Sequence, residues 1–203
     1  MDQKQYWDEV SKTKQFTTPF QADEFMCLVD GDALIVDVGC GYGRVMEMLY
    51  DLGYRKMIGF DFSDEMIKRG KRQFSKLDLR VMKEERIPLD DESVDAVILF
   101  AVLTCIVDDS DQKKLIAEIR RILKPCGVSI NDDDRNLERY ERYKDVFGVY
   151  GAFELPEGAQ VRHHSEEYIE ELLSDFKKEA FEPLTFTTMN GNRSNGFYYF
   201  GRR

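Results

Sequence analysis

The sequence predicts a doubly wound α/β domain: a mostly parallel seven-stranded sheet with helices on both faces and an antiparallel strand at its C-terminal end. Three observations lead there. Five apolar runs of strand length recur, ALIVDV (33–38), KMIGFD (56–61), LRVMKE (79–84), VDAVILF (94–100) and GVSIND (127–132), and helical patterns lie between most of them. Alternation of this kind builds a parallel sheet, and the most continuous runs suit strands covered on both faces. In the tail, LTFTT (184–188) and FYYF (197–200) flank the turn-rich MNGNRSNG, which reads as an antiparallel hairpin and brings the strands to seven. Finally, VDVGCGYGR (36–44) sets three glycines at alternating positions directly after the first run.

The chain has 203 residues, enough for one domain with a sizeable core, and shows no linker and no internal repeat. With 42% hydrophobic and 33% charged residues it has the composition of an ordinary globular protein. The first thirty residues hold no apolar run of signal-peptide length, and nowhere do about 18 apolar residues stand in succession, so a cytoplasmic location is expected and a membrane partner is not. A net charge of -10 disfavours a non-specific grip on nucleic acid or anionic lipid. The pairs Arg120-Arg121 and Lys177-Lys178 read as solvated faces of helices. Cys27, Cys40, Cys105 and Cys126 stand far apart without metal spacing and read as free, mostly buried thiols.

Each predicted helix has its local cause. Arg44 to Tyr50 places apolar residues three and four apart and ends near Gly53, a C-terminal cap. Ser63 caps the next helix with Asp64 and Glu65 in its first turn, the charge preferred there. Between Ser110 and Lys124, Leu115, Ile116, Ile119, Ile122 and Leu123 form an apolar stripe that Pro125 stops. Ser165 caps a last helix, expected through about Lys178. The stretch from about Asp133 to Val161 breaks the rhythm and is expected to form a helix and a loop over one edge, with Tyr140, Tyr143 and Phe147 at core spacing and Tyr150 and Phe153 nearby.

A glycine turn between strand and helix lets a ligand approach the backbone and turns amide donors toward it. The dinucleotide fingerprint GxGxxG needs a third glycine where this chain has Arg44 or Met46, so the spacing is GxGxG, with Asp37 inside the strand. The next strand ends in Gly59-Phe60-Asp61-Phe62, about 20 residues on, where a carboxylate accepts from a ribose diol. A nucleoside derivative is the expected ligand, and a dinucleotide-dependent oxidoreductase is disfavoured.

The runs ALIVDVGCGYGR, IGFDFSDEMI, IPLDDESVDAVILFAVLTCI and ILKPCGVSIND, in this order over roughly residues 30–135, resemble the class I S-adenosylmethionine-dependent methyltransferases, small-molecule type, near the ubiquinone-biosynthesis branch. The resemblance implies a Rossmann-like methyltransferase fold with a helical lid over residues 1–30 and a cofactor-binding core over 31–132. A substrate-side insertion over 133–163 and a C-terminal helix and hairpin over 164–203 complete it. It implies that Gly39, Cys40, Gly41 and Gly43 line the methionine part of the cofactor, that Asp37 reaches its ammonium, that Asp61 holds the ribose and that Phe62 lies against adenine. Phe100, Ala101 and Val102 would pass beneath the methyl group. Where the family often has an acid after the third strand this chain has Lys83, and Glu84 or Glu85 is the candidate substitute.

Methyl transfer from a sulfonium is an in-line displacement that needs alignment and exclusion of water more than a dedicated base. His163 and His164 are candidate general bases, although Ser165 beside them is better explained as a cap. Asp132-Asp133-Asp134 after the fifth strand could hold Mg²⁺ or be a solvated loop, and no metal is expected. Tyr6 and Trp7 are candidates for a lid over the substrate or for packing onto the sheet, and Thr104 and Cys105 are weak substrate candidates; Cys40 is given no redox task. The expected activity is transfer of a methyl group from S-adenosylmethionine to oxygen, nitrogen or sulfur of a small molecule, giving S-adenosylhomocysteine. A protein methyltransferase, or a module that binds the cofactor without turnover, stands as the alternative.

Overall fold

The computed structural model describes residues 3–124, 127–132, 136, 147–188 and 191–203. Two helices, α1 (Gln3–Val10) and α2 (Ala22–Leu28), precede the first strand, β1 (Ile35–Val38). The chain then alternates through α3 (Arg44–Asp51), β2 (Met57–Asp61), α4 (Asp64–Gln73), β3 (Asp78–Val81) and β4 (Ala96–Phe100). A 3₁₀ turn (Leu103–Cys105), α5 (Asp109–Ile122) and β5 (Gly127–Asp132) follow, then a short hairpin of β6 (Ala152–Glu154) and β7 (Gln160–Arg162). The helix α6 (Glu166–Leu172) leads into a long hairpin, β8 (Lys177–Thr187) and β9 (Arg193–Arg202).

The main sheet has seven strands in the order β3-β2-β1-β4-β5-β9-β8. The pairs β3–β2, β2–β1, β1–β4 and β4–β5 are parallel, whereas β9 joins β5, and β8 joins β9, antiparallel. From β1 the chain winds outward to β3 and then returns to β4, so the direction of winding reverses between β1 and β4. A crevice opens at the carboxyl ends of two strands wherever that happens.

Strand alternation explains why the apolar runs are continuous. Ile35, Met57, Ala96 and Ile98 pack into one buried cluster with Met46 and Leu49 of α3. Val36, Val38, Phe60, Val97 and Leu99 pack into a second with Ile116 and Ile119 of α5 and Ile169 of α6. Successive side chains face opposite sides, and helices cover both. Local capping follows the sequence: Ser63 Oγ accepts from Met66 N–H at 3.2 Å and Ser165 Oγ from Tyr168 N–H at 3.2 Å.

Several expectations are corrected. The last helix stops at Leu172, not near Lys178: Phe176 is buried, and Lys177 and Lys178 already pair with Arg202 and Gly201 as the start of the edge strand. Tertiary ladder bonds override the helical pattern there. Arg121 is not a solvated face but meets Glu118, Asp91 and the carbonyls of Leu89 and Ile87. In the described part of the irregular stretch, β6 and β7 form a hairpin where a loop was expected, and Tyr150 is exposed while Phe153 is buried edge-on to His163. Residues 137–146, which would carry the expected helix, lie outside the described residues. Tyr140 and Tyr143 lie outside the described residues, as do Asp133 and Asp134.

Candidate active site

The glycine turn begins where β1 ends. Gly39, Gly41 and Gly43 have φ of 74°, 55° and 88°, a left-handed conformation that side chains disfavour. A Cβ on Gly39 would collide with Val102 Cγ2, which ties the turn to the end of β4. The amides of Gly39 and Cys40 both donate to Phe60 carbonyl, at 2.7 and 3.0 Å. Gly43 caps α3, a Cβ on it would meet Leu77 and Leu79, and it is not among the residues that line the cavity between β1 and β4.

Asp61 holds the turn in place. Its Oδ2 accepts from Gly41 N–H and its Oδ1 from Ser63 N–H, both at 2.8 Å. One carboxylate therefore joins the glycine turn to the start of α4, and each oxygen keeps a further lone pair. Asp61 is 7% exposed, and burial raises its carboxyl pKa although the two amides oppose this. Asp37 lies deeper, at 2% exposure, and its Oδ1 has no hydrogen-bond partner. Burial pushes it up to about 7, with the neighbouring Asp61 adding to the shift and Arg44 opposing it.

These residues line a cavity of about 580 Å³ in the crevice between β1 and β4, a volume ordinary for small-molecule sites. Among the predicted residues, Asp37, Gly39, Cys40, Gly41, Asp61 and Phe62 line it from the β1 and β2 side. Phe100, Ala101 and Val102 line it from β4, Glu85 from the loop after β3 and Trp7 from α1. Ala101 has φ 57°, strained for a residue with a Cβ, at the point where β4 meets the cavity. Burial raises the Cys40 thiol well above its usual range, in keeping with a passive wall residue.

Other predicted residues stand elsewhere. Glu84 and Lys83 are exposed and outside the lining. Tyr6 is buried edge-on to Trp7 with ring centroids 5.1 Å apart, so it supports the lining residue rather than joining it. Thr104 donates to Arg162 carbonyl at 2.9 Å, tying the 3₁₀ turn to β7. His163 and His164 are buried outside the cavity. The Nε2 of His164 lies 2.9 Å from the amide nitrogen of Gln112, which also donates to Ile106 carbonyl at 2.6 Å, and burial followed by the Arg162 charge lowers its pKa to about 3. A ring so placed fastens the β4–α5 connection.

Within the N-terminal strap, the segment expected as a lid, sequence reasoning missed Gln3, Phe16 and Thr18, and it missed Arg44. Phe16 lies over Gly41, stacks on Tyr42 at 5.5 Å and lines the cavity with Thr18 and Gln3. The strap is anchored by Asp8, which accepts from Ser63 Oγ at 2.6 Å and Glu65 N–H at 3.2 Å, and by Arg69, which donates to Ser11 and Lys14 carbonyls. Opposite, Gln160 of the β6–β7 hairpin closes the rim. Among the described residues no group of three His, Cys, Asp or Glu side chains is arranged to hold a metal ion, and no helix is long and apolar enough to cross a membrane.

Comparison with known proteins agrees with this geometry. Residues 36–130 match a family model described as a methyltransferase domain. The chain is 29% identical over 136 residues to an uncharacterised methyltransferase-like protein of Schizosaccharomyces pombe, covering 66% of this chain and 51% of that one. It is 28% identical over 167 residues to the ubiquinone/menaquinone biosynthesis C-methyltransferase of Citrifermentans bemidjiense, covering 77% and 69%. It is 28% identical over 108 residues to the eEF1A lysine and N-terminal methyltransferase of Homo sapiens, covering 46% and only 15%. The chain thus spans about half the length of the first of these relatives and much less of the last. In fold it is similar to a SAM-dependent methyltransferase of Methanosarcina mazei, with a TM-score of 0.82 at 22% identity over 92% of this chain and 99% of that one. Sheet order, glycine turn and matched segment agree: over its core the chain resembles the class I methyltransferases, including those of ubiquinone biosynthesis.

Proposed function

We propose that this chain binds S-adenosylmethionine and transfers its methyl group to an oxygen, nitrogen or sulfur atom of a small acceptor. The observation that carries the reading is the pair Asp37 and Asp61 at the β1–β4 crevice. One has an unpartnered buried oxygen, and the other braces the glycine turn with lone pairs to spare. The site fits the cofactor: an uncompensated carboxylate suits a cationic ligand, bare glycine backbone admits close approach, and Phe62 offers a flat apolar face. Bound there, S-adenosylmethionine supplies a methyl carbon already activated by its sulfonium.

The chain's own residues then have two tasks, orientation and dryness. Asp37 and Asp61 would fix the two ends of the amino-acid and ribose portion. Trp7 and Phe16 from the strap, with Phe100 from β4, wall the cavity and keep water out. A strap and hairpin that close over about 580 Å³ favour a small acceptor over a protein side chain. The human relative named for a protein substrate aligns with 46% of this chain and only 15% of its own length, so that likeness carries little weight for the acceptor. Because the Citrifermentans bemidjiense relative is named a C-methyltransferase, ring carbon joins the acceptor atoms to be tested.

The test is release of S-adenosylhomocysteine by the purified protein given S-adenosylmethionine and a panel of a phenol, a hydroquinone, a primary amine, a thiol and a mixed protein acceptor. The expected result is turnover with a small acceptor that falls at least about tenfold in Asp61→Asn. Turnover with protein alone would reassign the acceptor. Cofactor binding with no turnover across the panel would leave a binding module, and no cofactor binding at all would overturn the reading.

A further inference from the structure

Arg44 opens α3 directly after the glycine turn and reaches into the cavity. Its guanidinium donates to Thr18 carbonyl at 2.8 Å and lies 5.4 Å from the centre of the Phe100 ring, which places it between the N-terminal strap and the end of β4. Among the described residues it makes no ion pair and no second hydrogen bond. Two other enclosed arginines are far more fully paired. Arg121 meets Asp91, Glu118 and two carbonyls, and the enclosed Arg162 meets Asp109 and the carbonyls of Val107 and Tyr150. A guanidinium carries five donors in a rigid fork matched to a carboxylate. Burial lowers the Arg44 pKa while Asp37 raises it, and it stays a cation.

Asp37 and Arg44 therefore face one cavity with opposite charges, each short of partners, and no hydrogen bond or ion pair joins them. Unpaired opposite charges on the wall of one cavity suit a zwitterion. We propose that Arg44 is a carboxylate-binding residue of this cavity, working with Asp37 as a clamp for an α-amino acid group. The inference rests on the cofactor reading, in which the amino acid is the methionine end of S-adenosylmethionine. A carboxylate on the acceptor would meet the same fork.

The experiment is calorimetric titration of the parent, Arg44→Met and Arg44→Lys, each first checked for an unchanged circular dichroism spectrum. The probes are S-adenosylhomocysteine and its decarboxylated analogue, which keeps the amine and lacks only the carboxylate. The expected result is that Arg44→Met weakens S-adenosylhomocysteine about ten- to hundredfold and moves the analogue less than about twofold, with part of the loss recovered in Arg44→Lys. To separate the second source, benzoate is titrated into each protein loaded with S-adenosylhomocysteine. Unchanged S-adenosylhomocysteine affinity, with benzoate bound by the parent and lost in Arg44→Met, assigns the carboxylate to the acceptor. Equal weakening of both nucleosides overturns the inference, as does unchanged nucleoside binding with no benzoate effect. A parent that binds neither nucleoside refutes the cofactor reading itself, a different failure.

Discussion

Asp37 and His164 are both buried and both have pKa values displaced by that burial, yet they bias stability in opposite directions. The folded pKa of Asp37 is raised from 3.8 to about 7, so the folded chain holds a proton that the unfolded chain has lost. Its contribution is most favourable below about pH 4 and is lost as pH rises to 7. The folded pKa of His164 is lowered from 6.5 to about 3, so the unfolded chain binds the extra proton, and stability is lost as pH falls below 6.5. Between about pH 4 and 6.5 the two slopes oppose each other. In ligand-free protein, Asp37→Asn is expected to steepen the loss of thermal stability on acidification, and His164→Phe to flatten or reverse it. Melting temperatures at pH 4.5, 5.5 and 6.5 read this directly, and parallel curves for parent and both variants would refute it. Since His164 lies outside the cavity with Nε2 against Gln112, the His164→Phe variant should also keep the parent pH dependence of turnover.

At the scale of elements, the short hairpin β6–β7 is the least anticipated part of the fold and closes one side of the site. Gly151 begins it with φ 78°, and a Cβ there would overlap the carbonyl of His163, whose N–H donates to Gly151 carbonyl at 3.0 Å. Gly148 has a similar φ of 64° but open space around it. The pair separates backbone strain from steric conflict. Gly148→Ala is expected to cost about 1–2 kcal/mol from conformation alone, and Gly151→Ala at least about 1 kcal/mol more from the collision. Chemical denaturation compares them, and equal losses would show that the hairpin yields freely. The hairpin is fastened to the core by the Arg162–Asp109 ion pair and by the bond from Thr104 to Arg162 carbonyl. Loosening it should therefore disturb the rim of the cavity that Gln160 supplies, while Asp61 and the glycine turn stay in place.

For the whole molecule, the sheet reverses between β1 and β4, and the strap and hairpin roof the crevice that results. Ligand binding and global stability are coupled through that architecture. A ligand at 100 times its dissociation constant adds about 2.7 kcal/mol, or roughly 5–10 °C for a domain of this size. S-Adenosylhomocysteine is expected to produce such a shift and NAD none, because Arg44 stands where a dinucleotide site needs glycine. A shift with NAD alone would mean that the glycine turn serves another ligand. Asp8→Ala, which releases the strap from Ser63 and Glu65, should reduce the S-adenosylhomocysteine shift without removing it.

What could be read in the sequence is what short-range chemistry decides. The five parallel strands, the caps at Ser63 and Ser165 and the glycine turn with Asp61 after it follow from periodicity and spacing, because hydrophobic alternation, N-capping and left-handed turns each act within a few residues. The strand β8 was only partly legible: its first residues look helical, and pairing with β9 decides otherwise. Distant partners decided the rest. Val102 leaves no room for a Cβ on Gly39, Gln112 holds His164 Nε2 away from the cavity, and the strap brings Phe16 over Gly41, contacts between segments 25 to 63 residues apart. Arg44 reads in sequence only as a missing glycine; enclosure beside Thr18 and Phe100, with donors unused, turns it into a candidate ligand-binding group. Burial and partner count are properties of the packed chain, and they decide which polar side chains are left for a ligand.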